Sequence, residues 1–179
     1  MLEKTKNLID RSSEARRQGD RAAAYDLARC ASEASRAADD LDGLGVALAA
    51  LGRLHRDDHE QEEAVALYED AVDLARRTGD DLALAHRLRH IGDIIAELGN
   101  LTRAEQCLEE AEELLARQAP DELTLANFLR SRALLKEKQD DCEGAAELWT
   151  RARGLYAANG IHEGVRESDR RLAGLRRPG

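Results

Sequence analysis

An all-α fold, a solenoid of stacked antiparallel helix pairs, is predicted by three observations. Prolines number only two in 179 residues, Pro120 and Pro178, so long helices are allowed almost everywhere. Aromatic residues make up 3% and alanine is abundant, so any core is built from small side chains. Such a core suits closely packed helices better than a sheet, which favours β-branched and aromatic residues. Small residues also return at a fixed step, the signature of a repeat architecture. Twelve, sixteen and nineteen residues after Gly52 stand Ala64, Tyr68 and Ala71. The same offsets from Gly92 reach Ala104, Leu108 and Ala111, and from Ala133 they reach Ala145, Trp149 and Ala152. From Ser12 they reach Ala24, Ala28 and Ala31, so the frame advances by 40, 40 and 41 residues.

Each element follows from that frame. The first pair, about residues 3–40, crosses at Ser12 and Ala24 and turns at Gly19-Asp20. The second, about 41–80, crosses at Gly52 and Ala64 and turns at Asp57-Asp58-His59. The third, about 81–120, crosses at Gly92 and Ala104 and turns at Gly99-Asn100. The fourth, about 121–160, crosses at Ala133 and Ala145 and turns at Gln139-Asp140-Asp141. Two helices approach closely only where something small sits at the crossing. Tyr68, Leu108 and Trp149 then fill the space between neighbouring pairs. Thr78 to Asp81, Gln118 to Asp121 with Pro120, and Asn159-Gly160 separate one pair from the next, with Gly, Asp and Asn placed to stop one helix and cap another. A last helix, about 162–176, carries Val165, Leu172 and Leu175 on one side. Arg166, Arg170, Arg171, Arg176 and Arg177 make it heavily charged, which suits a terminal cap that seals the array and meets water. Arg132 and Lys136 fall where apolar residues are usual, which leaves the frame of the fourth first-helix open by one residue.

Leu51-Gly52-Arg53-Leu54-His55 followed by Ala64 and Tyr68 resembles the tetratricopeptide repeat, and Ile91-Gly92 with Ala104 and Ala111 is nearly as good a copy. The fourth copy lacks the glycine and the first is degenerate. The resemblance covers about residues 3–158. The usual unit is about 34 residues, whereas this one is 40 or 41, similar to the long-helix variety of kinesin light chains and bacterial signalling proteins. The resemblance implies a right-handed superhelix in which first helices line a concave side and second helices form the convex side. It also implies a protein or peptide as partner.

Charge narrows the partner class. The net charge of −9 falls on residues 41–120, which hold 18 acids against 8 bases. An acidic surface repels phosphate backbones, so nucleic acid is not the expected partner. No stretch approaches the ~18 apolar residues of a membrane span, and residues 1–20 are polar throughout, unlike a secretory signal. Cys30, Cys107 and Cys142 are odd in number and far apart, which points to free thiols in a reducing cytoplasm. Alanine and arginine usage suggests a bacterial source.

Most central acids fall on the expected convex helices, about 60–78 and 101–117, as Glu60, Glu62, Glu63, Glu69, Asp70 and Asp73, then Glu105, Glu109, Glu110, Glu112 and Glu113. The inner strip is mixed. Its candidate peptide-binding residues are Arg53, His86, Arg89, Asp93, Asn127 and Arg130. His86 and Asn127 share one frame position, and Arg89 and Arg130 another. Two arginines on neighbouring helices grip carboxylates through paired N–H groups, so the strip is expected to favour an acidic or C-terminal segment. The competing expectation is that Arg89 and Arg130 pair with Asp93, Glu97 and Glu137, which leaves no preference. The Lys/Asn/Lys/Arg carboxylate clamp of some tetratricopeptide proteins is not reproduced.

Catalysis is not expected. His86-x3-His90-x2-Asp93 has metal-ligand spacing, but Arg87 stands where a metalloprotease helix carries glutamate, and Arg87 and Arg89 oppose a cation. No phosphate-cradling loop and no nucleophile elbow occur. Neither metal nor cofactor is expected. The reading is a non-enzymatic scaffold or adaptor. The alternative is a regulatory or sensor domain of a bacterial signalling system that answers to a peptide or small ligand, and self-association is open to either.

Overall fold

The computed structural model describes residues 1–175. These form nine α-helices and no strand: α1 (Glu3–Arg17), α2 (Arg21–Ala37), α3 (Leu41–Asp57), α4 (Gln61–Thr78), α5 (Asp81–Glu97), α6 (Leu101–Arg117), α7 (Glu122–Lys138), α8 (Cys142–Ala158) and α9 (His162–Leu175). Arg176, Arg177 and Pro178 lie outside the described residues. Helices adjacent in sequence pack against one another along the whole chain, which makes the array an α-solenoid.

Short connections with definite chemistry enforce this order. Seven of the eight pass through a left-handed residue: Gly19, Asp39, His59, Gly79, Gly99, Asp140 and Gly160. A left-handed residue ends a helix by turning its last carbonyls toward new donors. The side chains of Asp20, Asp40, Asp80, Asn100, Asp121 and Asp141 then accept from the backbone N–H three residues on, starting the next helix. Each such cap contributes about 0.5–2 kcal/mol. The connection from α6 to α7 differs. Gln118 is extended, Pro120 follows, and no left-handed residue is used. Proline blocks the helical conformation of Ala119, so α6 stops without the usual turn, and one extra residue enters the frame.

The crossing residues behave as their size requires. Ala24, Ala64, Ala104 and Ala145 are fully buried, as are Ala31, Ala71, Ala111 and Ala152 two turns further on. A Cβ on Gly52 would stand 2.9 Å from Tyr68 Cε2, and one on Gly92 would stand 2.9 Å from Leu108 Cγ. Neither pair has room for a methyl group. Ala133 is fully buried and Ser131 and Leu135 are buried beside it, which settles the frame of α7. Arg132 is displaced toward Glu112 (3.8 Å) and Lys136 toward Asp141 (3.2 Å).

Second helices are tied across pairs by Arg103–Glu69 and Arg76–Glu110 (2.9 Å), and Gln139 in the turn after α7 donates to Glu105 of α6 (3.1 Å). First helices are tied by Arg16–Asp57 (2.5 Å) and Arg56–Glu97 (2.6 Å), two rungs with the same 41-residue reach. One frame further the rung would join Ala96 and Lys138, which cannot pair. The ladder therefore stops between α5 and α7.

Candidate functional site

A cleft of about 410 Å³ opens where that ladder stops. Its walls come from the first helices, α3, α5 and α7, with α9 at the end and Leu108 of α6 at the floor. Ala96, Leu134 and Leu135 give it apolar surface. Arg56, Arg130, Lys138 and Arg171 bring positive charge, and Asp93, Glu97 and Glu137 bring negative charge. The convex face is acidic by contrast, with Glu62, Glu63, Glu69, Asp70, Asp73, Glu109, Glu112 and Glu113 all exposed.

Of the six residues singled out from the sequence, Asp93 and Arg130 line this cleft. Asp93 is buried and stands 3.4 Å from Arg89 Nη1 and 3.6 Å from Arg56 Nη1. It holds the two helices α3 and α5 together at the cleft wall. Arg89 is committed to this network. Its Nη1 also donates to Ser131 Oγ at 3.4 Å, and its Nη2 donates to His90 Nε2 at 2.9 Å. Arg130 donates twice to Glu167 of α9, at 2.7 and 2.8 Å. Arg89 and Arg130 thus do not converge on a shared open seat. The reason is that each has a carboxylate nearer than solvent, one turn along α5 for Arg89 and on α9 for Arg130. Asn127 Oδ1 accepts from the Tyr156 hydroxyl at 2.9 Å. Arg53 lies half-buried against α1, beside Ser12 and Arg16, and has no ion pair among the described residues. His86 is half-buried on α5, outside the cleft lining.

The wall behind Asp93 is polar and largely buried. His90 stacks on Tyr68 with ring centres 5.0 Å apart. His90 Nε2 accepts from Arg89, so its proton sits on Nδ1, which is buried without a partner, as is the Tyr68 hydroxyl. Burial raises the Tyr68 phenol to about 12, despite Arg53, Arg56 and Arg89 nearby. Burial, reinforced by Arg89 and Arg53, holds His90 well below the ordinary histidine value of 6.5. Burial and Arg89 lower His86 as well. Among the described residues no group of three His, Cys, Asp or Glu side chains is placed to share a metal ion. Of the His86/His90/Asp93 set, His90 faces Tyr68 and Arg89, and Asp93 faces Arg56 and Arg89.

These histidines give a signed pH dependence. Their folded values lie below 6.5, so the unfolded chain binds more protons as pH falls. Stability is fully present above about pH 6.5 and declines below it, by up to about 1.4 kcal/mol per pH unit for each histidine. Urea unfolding between pH 7.5 and 5 measures this. His90→Phe, which keeps the stack on Tyr68, is expected to flatten the profile. A variant profile as steep as that of the parent contradicts a neutral buried His90.

Lining residues Lys138, Glu137 and Arg171 complete the site. Glu137 accepts from Arg171 at 3.0 Å and from the Trp149 indole N–H at 2.5 Å. Lys138 is exposed and has no ion pair among the described residues. Arg171 was within reach of the repeat frame. A further step of 41 from Arg89 and Arg130 lands on it, and the same step from Ala133 lands on Gly174. The last helix therefore repeats a first-helix spacing, and its exposed Arg171 reaches Glu137 in the concave column.

No family model matches the chain, and no curated protein matches it in sequence. Solved structures do match. BtubC (BKLC) from P. vanneervenii is similar with a TM-score of 0.68 at 20% identity, over 94% of this chain and 80% of that one. The nearly identical TPR-like repeats of a Podosopora anserina kinesin light chain are similar with a TM-score of 0.61 at 15% identity, over 97% of both chains. The fold is that of the tetratricopeptide-like repeat proteins. At these identities the likeness concerns the backbone path. The concave cleft of this tetratricopeptide-like chain stands on its own side chains.

Proposed function

We propose that the chain is a non-enzymatic protein-interaction module that seats a short segment of a partner protein in the concave cleft. The observation that carries this is the cleft itself, an apolar strip of Ala96, Leu134 and Leu135 rimmed by charges, where the first-helix ladder is interrupted between α5 and α7. An apolar floor with a charged rim binds peptides by seating one or two side chains and orienting the rest. The chemistry favours an acidic segment or a chain terminus. Lys138 stands at the mouth without an ion pair among the described residues, and Arg130 and Arg171 already hold carboxylates in the geometry that a ligand carboxylate would take over from Glu167 or Glu137. A reducing compartment such as the cytoplasm suits Cys30, Cys107 and Cys142, all free thiols. No helix among the described residues is long and apolar enough to cross a membrane.

Selection from a library of random peptides displayed with free C-termini tests this reading. Selected peptides are expected to be enriched in Asp, Glu or a terminal carboxylate. Lys138→Glu is expected to weaken the best of them by about tenfold and to reduce its salt dependence. Arg130→Ala is expected to weaken it further. Peptides that bind all three proteins equally would place the working surface elsewhere.

A further inference from the structure

A second cavity lies at the opposite rim, where the start of α3, the end of α4 and the start of α5 meet. It holds about 270 Å³ and is walled by Leu41, Val46, Leu74, Ala75 and Ala83. Arg87 of α5 lines it. This arginine is 7% exposed, and no hydrogen bond or ion pair engages its guanidinium among the described residues. Its Nε is buried outright without a partner. Asp80 and Asp42 act on it only from a distance, and a buried guanidinium without a bonded acid is costly.

The repeat frame makes the residue stand out. The positions equivalent to Arg87 in the neighbouring first helices are Ala47 and Phe128, both buried and apolar. The frame has an oily residue here and this unit has a cation. A second departure accompanies it. Ala85 and Ala126 occupy one frame position, and in α3 that position is Gly45. A Cβ at Gly45 would lie 3.3 Å from Arg87 Nη2. The missing methyl makes the room that the guanidinium fills. Burial lowers Arg87 from its usual value, yet an arginine remains charged under any physiological condition.

Two acids at the mouth decide what fits. Asp80 is the cap of α5 and accepts from Ala83 N–H at 2.9 Å, while Asp42 lies near the Met1 amine at 4.0 Å. Both are spoken for and neither reaches Arg87, but their charges oppose a polyanion. A planar single carboxylate matches the fork of a guanidinium, and the aliphatic walls match a short alkyl group. At about 30 Å³ per water-sized volume, the cavity accommodates roughly nine heavy atoms.

We infer that this cavity is a binding site for a short aliphatic carboxylate, received end-on by the guanidinium of Arg87. The carboxylate belongs either to a free small acid or to an aliphatic C-terminal residue of a peptide. It is independent of the concave cleft. Melting of the full chain is to be followed at constant ionic strength with sodium butyrate against butyramide, and with N-acetyl-alanyl-valine against its C-terminal amide. At least one acid is expected to raise Tm while its neutral counterpart does not, with an affinity about tenfold or more above the amide. Response to butyrate identifies the free acid as ligand, and response to the peptide acid alone identifies a chain terminus. Arg87→Met is expected to melt higher than the parent without ligand and to lose the response. Should Arg87→Met not fold, the Arg87 Nε–H resonance of the parent protein reports instead, and is expected to shift on titration with the acid only. Equal effects of acid and amide, a response that survives in Arg87→Met, an unmoved Arg87 resonance, or an equal response to inorganic phosphate would each overturn the assignment.

Discussion

Trp149→Ala is expected to cost about 3–5 kcal/mol, the largest loss of any single truncation in the chain. Trp149 is completely buried and packs with Ala133 and Ala145, with Leu134, Leu148, Leu172 and Leu175 against them. It joins α7, α8 and α9, so its removal opens a cavity that no single helix can close by shifting. Its indole N–H also satisfies Glu137, which the truncation leaves to Arg171 alone. For a chain of this length such a loss lowers Tm by on the order of 10 °C. Each helix pair contacts only its neighbours, so the damage should be local. Hydrogen exchange is expected to accelerate through α7, α8 and α9 while α1 to α4 keep their protection. Trp149→Phe retains most of the packing and should lose less than half as much. Urea unfolding followed by circular dichroism measures both, and a loss under about 1 kcal/mol for Trp149→Ala would contradict the packing described.

Asp93→Leu is expected to destabilise by about 3–5 kcal/mol through charge and not volume. The Asp93 side chain is 3% exposed and stands between Arg56 and Arg89, which are themselves largely withdrawn from water. Removing the acid leaves Arg89 with Ser131 and His90, and neither is a counter-charge. Arg56 retains Glu97 and suffers less. A second change separates this cause from loss of shape. Arg89→Met in the Asp93→Leu background should recover most of the loss, because an apolar pair of similar volume replaces a buried ion pair with little cost or a gain. The measurement is a double-mutant cycle by urea unfolding. Additive losses would show that the pair does not interact and that the wall of the cleft is held by packing alone.

How much of this was legible in the chain varies by element. The helix pairs were, because a crossing needs a small residue and a turn needs a left-handed or capping one, and both needs are met by residues close in sequence. Gly52 and Gly92 stand against Tyr68 and Leu108 sixteen residues later, inside the same hairpin. The turn at Ala38-Asp39-Asp40 was less visible, because Asp39 takes the left-handed conformation that glycine takes elsewhere. In the last helix Val165, Leu172 and Leu175 pack inward while Arg166, Arg170 and Arg171 are exposed. That Arg171 shares a column with Arg89 and Arg130 is visible only when the 41-residue step is carried past α7.

The cleft was partly legible. Periodicity put Asp93 and Arg130 on the concave face, and both line it. The partners of the charged groups were not legible. Arg130 meets Glu167, 37 residues away, and Arg56 meets Glu97, 41 residues away. Arg87 has no hydrogen-bonded or ion-paired partner among the described residues, although acids are plentiful in the chain. Helical periodicity assigns a residue to a face, and that is a local property of the backbone. A guanidinium at the end of a long flexible stem chooses among every carboxylate within its reach, and only the packing of distant helices decides which those are. The sequence therefore specified a helical repeat with a mixed-charge inner strip. Tertiary structure decided where that strip is closed by its own ion pairs, where it stays open between α5 and α7, and where a cation is left buried and unmatched.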